Sequence, residues 1–152
     1  MFKTLLVPTD GSEISQMAVE AAIGFARCCG ARIVALSVAE PYPVVPVVDG
    51  ALVLDGGLDS RELQELARQR VARVADAASQ AGVPCTTEVA LSFHPHEEII
   101  AAAARHHCDV IFMASHGRRG IGRLLAGSET QKVLAYAPVP VMVFRPPLAE
   151  RI

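Results

Sequence analysis

The 152-residue chain has no tryptophan, and aromatic residues make up only 5% of it. That argues against a stacking platform for single-stranded nucleic acid, which needs exposed rings. There is no surplus of positive charge either. Lys and Arg number 14 against 16 Asp and Glu, a formal net charge of −2. Neither a strongly basic nucleic-acid surface nor a polybasic membrane anchor is expected. No apolar run approaches the roughly 20 residues that a membrane-spanning helix needs. Met1-Phe2-Lys3-Thr4 runs straight into a strand-like segment, without a signal-peptide layout. Cys28, Cys29, Cys85 and Cys108 show no C-x-x-C spacing, and a bridge within the adjacent pair would be strained. They read as free, mostly buried thiols in a reducing compartment, and cytoplasm is the expected location.

Apolar residues, by contrast, are plentiful: 51% of the chain is hydrophobic and 20% charged. That is too apolar for disorder, and the length suits one domain spanning 1–152. Strand-like and helix-like segments alternate. Leu5-Leu6-Val7 is a strand ending at Pro8-Thr9-Asp10-Gly11. Ser12 caps a helix with apolar positions at Ile14, Ala18, Ala22, Phe25 and Cys29, and Gly30 ends it. Arg32 to Val38 is the second strand. Asp59-Ser60 opens an amphipathic helix with an inner stripe of Leu63, Ala67, Val71, Val74 and Ala78. Pro84 to Leu91 is the third strand. His94-Pro95 opens the third helix, with His94 in the place of a capping acid and Glu97 and Glu98 in the first turn. Asp109 to Met113 is the fourth strand. Ser128 caps the fourth helix, with Gln131 completing a capping box, and Val139 to Phe144 is the last strand. This strict alternation predicts an α/β fold: an open five-stranded parallel sheet with helices on both faces. The apolar, proline-rich stretch 40–58 is long for a loop. It fits a lid or partner contact, or equally an extension packed on the surface.

Open parallel sheets take ligands beyond the carboxyl ends of their strands, where strand order reverses. The two most polar, glycine-rich turns lie at such ends. One is Pro8-Thr9-Asp10-Gly11-Ser12. The other runs from Ser115-His116-Gly117-Arg118-Arg119 to Gly127-Ser128. The second has the parts of an anion site: glycines for close backbone approach, Arg118, Arg119 and Arg123 for charge, and a helix start at Gly127-Ser128. Asp10 suits a ribose hydroxyl, a base amine or a metal. His116 suits a phosphate or a ribose. There is no G-x-x-x-x-G-K-[ST], and 117–122 is not G-x-G-x-x-G, so P-loop and dinucleotide fingerprints are rejected.

Pro8-Thr9-Asp10-Gly11-Ser12 resembles the opening motif of the universal stress protein family. Met113-Ala114-Ser115-His116-Gly117, followed after nine residues by Gly127-Ser128, is similar to its nucleotide motif G-x2-G-x9-G-[ST]. Ala137-Pro138-Val139-Pro140-Val141-Met142-Val143 is similar to its last helix and strand. The resemblance spans essentially the whole chain. It implies strand order 3-2-1-4-5 in a Rossmann-like three-layer sandwich of the adenine nucleotide alpha hydrolase kind. It also implies a homodimer and, in one branch, binding of ATP or AMP, with Mg²⁺ accompanying ATP. By position, Pro8, Thr9 and Asp10 would flank the nucleoside, with Val38 beside the adenine. Met113, Ala114 and Gly117 would line the ribose and the way in for phosphates, while Gly127, Ser128 and Glu129 would hold the phosphates. The family's first motif glycine is Ala114 here. A strand-like backbone accepts alanine at little cost, whereas a left-handed one does not.

The expected function is thus nucleotide sensing or regulation in a stress response. The alternatives are a member that binds no nucleotide and works through protein contacts, or a weak ATP hydrolase. No enzyme is expected, because Ser12, Ser115 and Ser128 lack an evident activating base and only Asp10 is a candidate partner for His116. His94, His96, His106 and His107 are not spaced to share one metal. The last strand, apolar up to Arg145, invites pairing with the same strand of a second copy, unless the 146–152 tail covers it.

Overall fold

The computed structural model describes residues 1–41, 59–116 and 127–145. The strands are β1 (Thr4–Pro8), β2 (Arg32–Ala39), β3 (Cys85–Leu91), β4 (Val110–Ala114) and β5 (Val141–Phe144). The helices are α1 (Glu13–Cys29), α2 (Ser60–Gln80), α3 (Pro95–Arg105) and α4 (Ser128–Tyr136). The strands form one sheet in the order β3-β2-β1-β4-β5, every pair parallel. The expected α/β class and strand order are therefore present.

Alternate strand residues face opposite layers, which is why the inner strands read as unbroken apolar runs. Leu5, Val7, Ile33, Ala35, Val110 and Phe112 pack with Val19, Ala22 and Ala26 of α1 and Val71, Val74 and Ala78 of α2. Leu6, Val34, Leu36, Ile111 and Met113 pack with Ile99, Ala102 and Ala103 of α3 and Val133 of α4. The chain runs from β1 outward to β3, then returns to place β4 on the other side of β1. That reversal leaves a crevice at the carboxyl ends of β1 and β4.

Several helix ends follow their sequence signals. Ser12 caps α1 by accepting from Ser15 N–H at 3.2 Å, and Gly30 closes it at φ 66°. Asp59 and Glu62 form a reciprocal capping box on α2. Others differ from expectation. The N-cap of α4 is Gly127, not Ser128, because the first helical bond is Gln131 N–H to Gly127 O, so no Ser128–Gln131 box forms. His94 occupies the N-cap of α3 but its side chain makes no capping bond. The inner face of α1 is rotated from the expected stripe: Val19, Ile23 and Ala26 are buried, while Ile14, Phe25 and Cys29 are only half-buried. The cysteines are free, but only Cys108 is buried, whereas Cys28 lies on the exposed face of α1. Burial pushes the Cys108 thiol up to about 11.

Two carboxylates pin the amino-terminal side of the sheet. Asp109 Oδ2 accepts from Lys3 N–H at 2.6 Å and Thr4 N–H at 2.8 Å, which joins the start of β4 to the start of β1. Those backbone bonds, Lys3 first, hold the Asp109 carboxyl below its ordinary value. Glu88 of β3 bonds Arg105 and His106 at the end of α3. Burial acts to raise its pKa, but these partners outweigh burial and hold it low.

Candidate functional site

β1 ends in a turn that its own side chains fasten. Thr9 N–H donates to Leu36 O at 2.8 Å, so the turn keeps step with β2. Thr9 Oγ1 lies 3.1 Å from Ser15 Oγ and accepts from Gly11 N–H. Asp10 Oδ1 accepts from Ser12 N–H at 2.9 Å. This aspartate-led turn delivers the chain into α1.

β4 ends in a second turn, built on Ser115. Its N–H donates to Phe144 O and its carbonyl accepts from Gly127 N–H, both at 2.7 Å. Thr130 Oγ1 donates to Ala114 O at 3.1 Å. The start of α4 is thereby held against the end of β4. The N–H groups of residues 128–130 precede the first helical bond and have no partner within the helix.

The two turns border one cavity of about 560 Å³. Ten of the residues singled out from the sequence line it: Pro8, Thr9, Asp10, Val38, Met113, Ala114, His116, Gly127, Ser128 and Glu129. Gly117 and Arg118, with Arg119 and Arg123, lie outside the described residues, as does the stretch 42–58. A cleft with apolar walls and a few polar groups of both signs suits a small ligand with a flat apolar part and a charged end.

Two site expectations change. Glu129 was expected to hold phosphates, but its carboxylate is engaged by His96 and Lys132, with a bond from His96 N–H at 2.9 Å and one from Lys132 Nζ at 2.9 Å. Only its backbone N–H remains to offer an anion. Ser115 does have a base beside it, since His116 Nδ1 lies 2.9 Å from its Oγ. However, Ser115 is fully buried, so that oxygen cannot reach a ligand in the cavity. Gly127, by contrast, has φ −57°, and a Cβ there would meet its neighbours at ordinary contact distances of 3.5 Å and 3.7 Å.

α2 contributes two lining residues that motif reading missed, Leu63 and Arg70. The signal was present. Leu63, Ala67, Arg70 and Val74 fall at spacings of four, three and four, which places a guanidinium on the inward face of an otherwise apolar stripe.

A family model described as the universal stress protein family matches residues 1–145. A universal stress protein of Thermus aquaticus is 34% identical over 148 residues, covering 95% of this chain and all of that one. The chain belongs to the universal stress protein family. A solved structure of MJ0577, a universal stress protein of Methanocaldococcus jannaschii, superimposes with a TM-score of 0.81 at 25% identity. That alignment covers 98% of this chain and 99% of the other. Two more remote structures share the fold. One is a universal stress protein in complex with cAMP, at 18% identity and TM-score 0.69, covering 95% and 97% of the two chains. The other is a universal stress protein of Archaeoglobus fulgidus in complex with dAMP, at 14% and 0.67, covering 95% and 98%. Within the family motif, Ala114 stands in the last position of β4, paired with Phe144, and its φ is not positive. The extended backbone accommodates the methyl group that replaces the family's glycine.

Proposed function

We propose that the cavity binds an adenine nucleotide, ATP or AMP, and that the chain acts as a nucleotide-dependent sensor or regulator in a stress response. One observation carries this reading. The Pro8-Thr9-Asp10 turn and the Gly127-Ser128 helix start, 117 residues apart in the chain, border the same cavity. The nucleoside lies against Pro8, Thr9, Asp10 and Val38, with Met113, Ala114 and His116 along the ribose. The phosphates lie toward the free N–H groups at the start of α4, where a helix favours anions. The family motif assigns Gly117 to the way in for phosphates, and the sequence offers Arg118 as a charge beside it; both lie outside the described residues. The cAMP and dAMP complexes of two remote relatives support this ligand class. Where ATP is the ligand, Mg²⁺ would arrive bound to it. Among the described residues no group of three or more His, Cys, Asp or Glu is placed to hold a metal.

The protein works as a homodimer through β5. This edge strand is apolar, and Met142 on it is 41% exposed. Covering such an edge with the same edge of a second copy removes its free backbone groups.

Calorimetric titration with ATP and AMP tests the ligand, as does mass spectrometry of small molecules that co-purify. Heat of binding and a raised unfolding temperature are expected. No heat and no thermal shift at millimolar nucleotide would overturn the reading in favour of a member that works through protein contacts alone.

A further inference from the structure

Glu129 is the second residue of α4. It therefore carries a carboxylate at the helix end to which the phosphates are assigned. A side-chain anion at that point competes for the same N–H groups and repels a ligand phosphate. In the structure both of its oxygens are taken up elsewhere. Oε2 accepts from His96 N–H at 2.9 Å and lies 2.8 Å from His96 Nδ1. Oε1 accepts from Lys132 Nζ at 2.9 Å. His96 is the second residue of α3, and its side chain is only 13% exposed. Among the described residues, the charged or titratable groups around it are Glu129 and Lys132 from α4, Glu97 at 3.9 Å from its Nε2, and the His94 ring 6.1 Å away. Burial acts to raise the Glu129 pKa, but the bonds from Lys132 and His96 outweigh it and hold it below the ordinary value. Glu129 is thus ionised at neutral pH, and where its charge sits matters.

We propose that His96 is a positioning residue for the phosphate end of the cavity: it holds the Glu129 carboxylate against α3 and so keeps a built-in anion from competing with a ligand phosphate at the start of α4. This rests on the phosphate placement above. The arrangement sets specificity by ligand charge. With Glu129 drawn aside, the helix start accepts phosphorylated ligands. With Glu129 released, the advantage of a phosphorylated ligand over the uncharged nucleoside shrinks.

The test is calorimetric titration of the full chain with ATP, AMP and adenosine. The proteins are wild type, His96→Ala, His96→Asn, Lys132→Ala, Glu129→Gln and the double variant His96→Ala/Glu129→Gln. Because the backbone donor at 96 stays, His96→Ala is expected to weaken ATP roughly fivefold and adenosine less than about twofold, the scale of one charge moved at a helix end. Lys132 is exposed, so Lys132→Ala leaves the fold intact, and it is expected to give a smaller loss with the same ATP selectivity. His96→Asn keeps a side-chain donor and retains most of the affinity. Glu129→Gln binds ATP at least as tightly as wild type, and adding it to His96→Ala restores ATP binding. Equal loss of ATP and adenosine in His96→Ala, or a double variant no better than His96→Ala, would overturn the inference. Wild type favouring ATP over adenosine while neither His96→Ala nor Lys132→Ala changes that preference sinks the inference alone. Wild type binding none of the three ligands, or binding adenosine as tightly as ATP, sinks the phosphate placement with it.

Discussion

The side chain of Arg70 lies across Gly11 so closely that a β-carbon on Gly11 would sit 3.3 Å from Arg70 Cγ. Gly11 also adopts φ +77°, a conformation that costs other L-residues about 1–2 kcal/mol. Gly11→Ala is therefore expected to lower the unfolding temperature by about 2–8 °C in a scanning calorimeter. Arg70→Ala removes the crowding but not the backbone strain. The double variant should stay well below Arg70→Ala alone. A Gly11→Ala protein as stable as wild type would show that the turn does not need its glycine.

Ala114→Gly should cost about 0.5–1 kcal/mol of stability, because glycine in a strand gives up backbone entropy on folding. The same change should leave nucleotide affinity equal or raise it, since one methyl group leaves the cavity wall. Unfolding curves and titrations on one preparation read both effects. A gain in stability or a loss of affinity would contradict the extended geometry at this position.

Gly127→Ala is expected to fold and to bind nearly as wild type. Its Cβ would meet Ser115 O at 3.5 Å and His116 Cα at 3.7 Å, ordinary contact distances. Gly127→Val adds two further methyl groups beside the free N–H groups of α4. It should weaken ATP by on the order of tenfold or more, about 1.4 kcal/mol. Normal ATP binding by folded Gly127→Val would mean that the phosphates lie elsewhere.

Asp109 predicts part of the response to acid. Its pKa is lowered in the folded state, so between the folded and unfolded values the unfolded chain binds more protons. Its contribution is present above its ordinary value of about 4 and disappears as pH falls through the folded value. Asp109→Ala should lose about 1 kcal/mol at pH 7, with the bonds to Lys3 and Thr4. Below pH 4 its stability should converge on that of wild type. Urea midpoints measured between pH 2.5 and 7 check this. A constant difference across that range would rule out the ionised carboxylate as the source.

Met142→Lys places a charge on the β5 edge, a common device against edge pairing. Wild type is expected to sediment as a dimer and the variant as a monomer. A wild-type monomer at tens of micromolar would rule out β5 as a self-pairing edge.

Elements with a strong local cause were readable from sequence. The apolar runs of β1, β2 and β4 needed no context, and Ser12, Gly30 and Asp59 stand where helix chemistry demands such residues. The cavity turns were readable because they are the two most polar, glycine-rich turns at the carboxyl ends of parallel strands, where open sheets take ligands. What escaped depends on contacts across the fold. Ser128 has the credentials of a cap, yet the carbonyl of Gly127 receives the first helical bond, which shifts the helix start by one residue. Glu129 looked like a ligand group because its engagement with His96 joins positions 33 apart. Arg70 was hidden inside an amphipathic pattern in which arginines normally mark the wet side, and its inward direction shows only when α2 is set against the β1 turn.

Ser115 has one further consequence. Its peptide groups bond to the end of the edge strand on one side and to the start of α4 on the other. The path from Phe144 to the start of α4 therefore runs through two backbone hydrogen bonds and one buried residue. A second copy paired with β5 would sit two hydrogen bonds from the rim of the cleft, with a single buried serine between them.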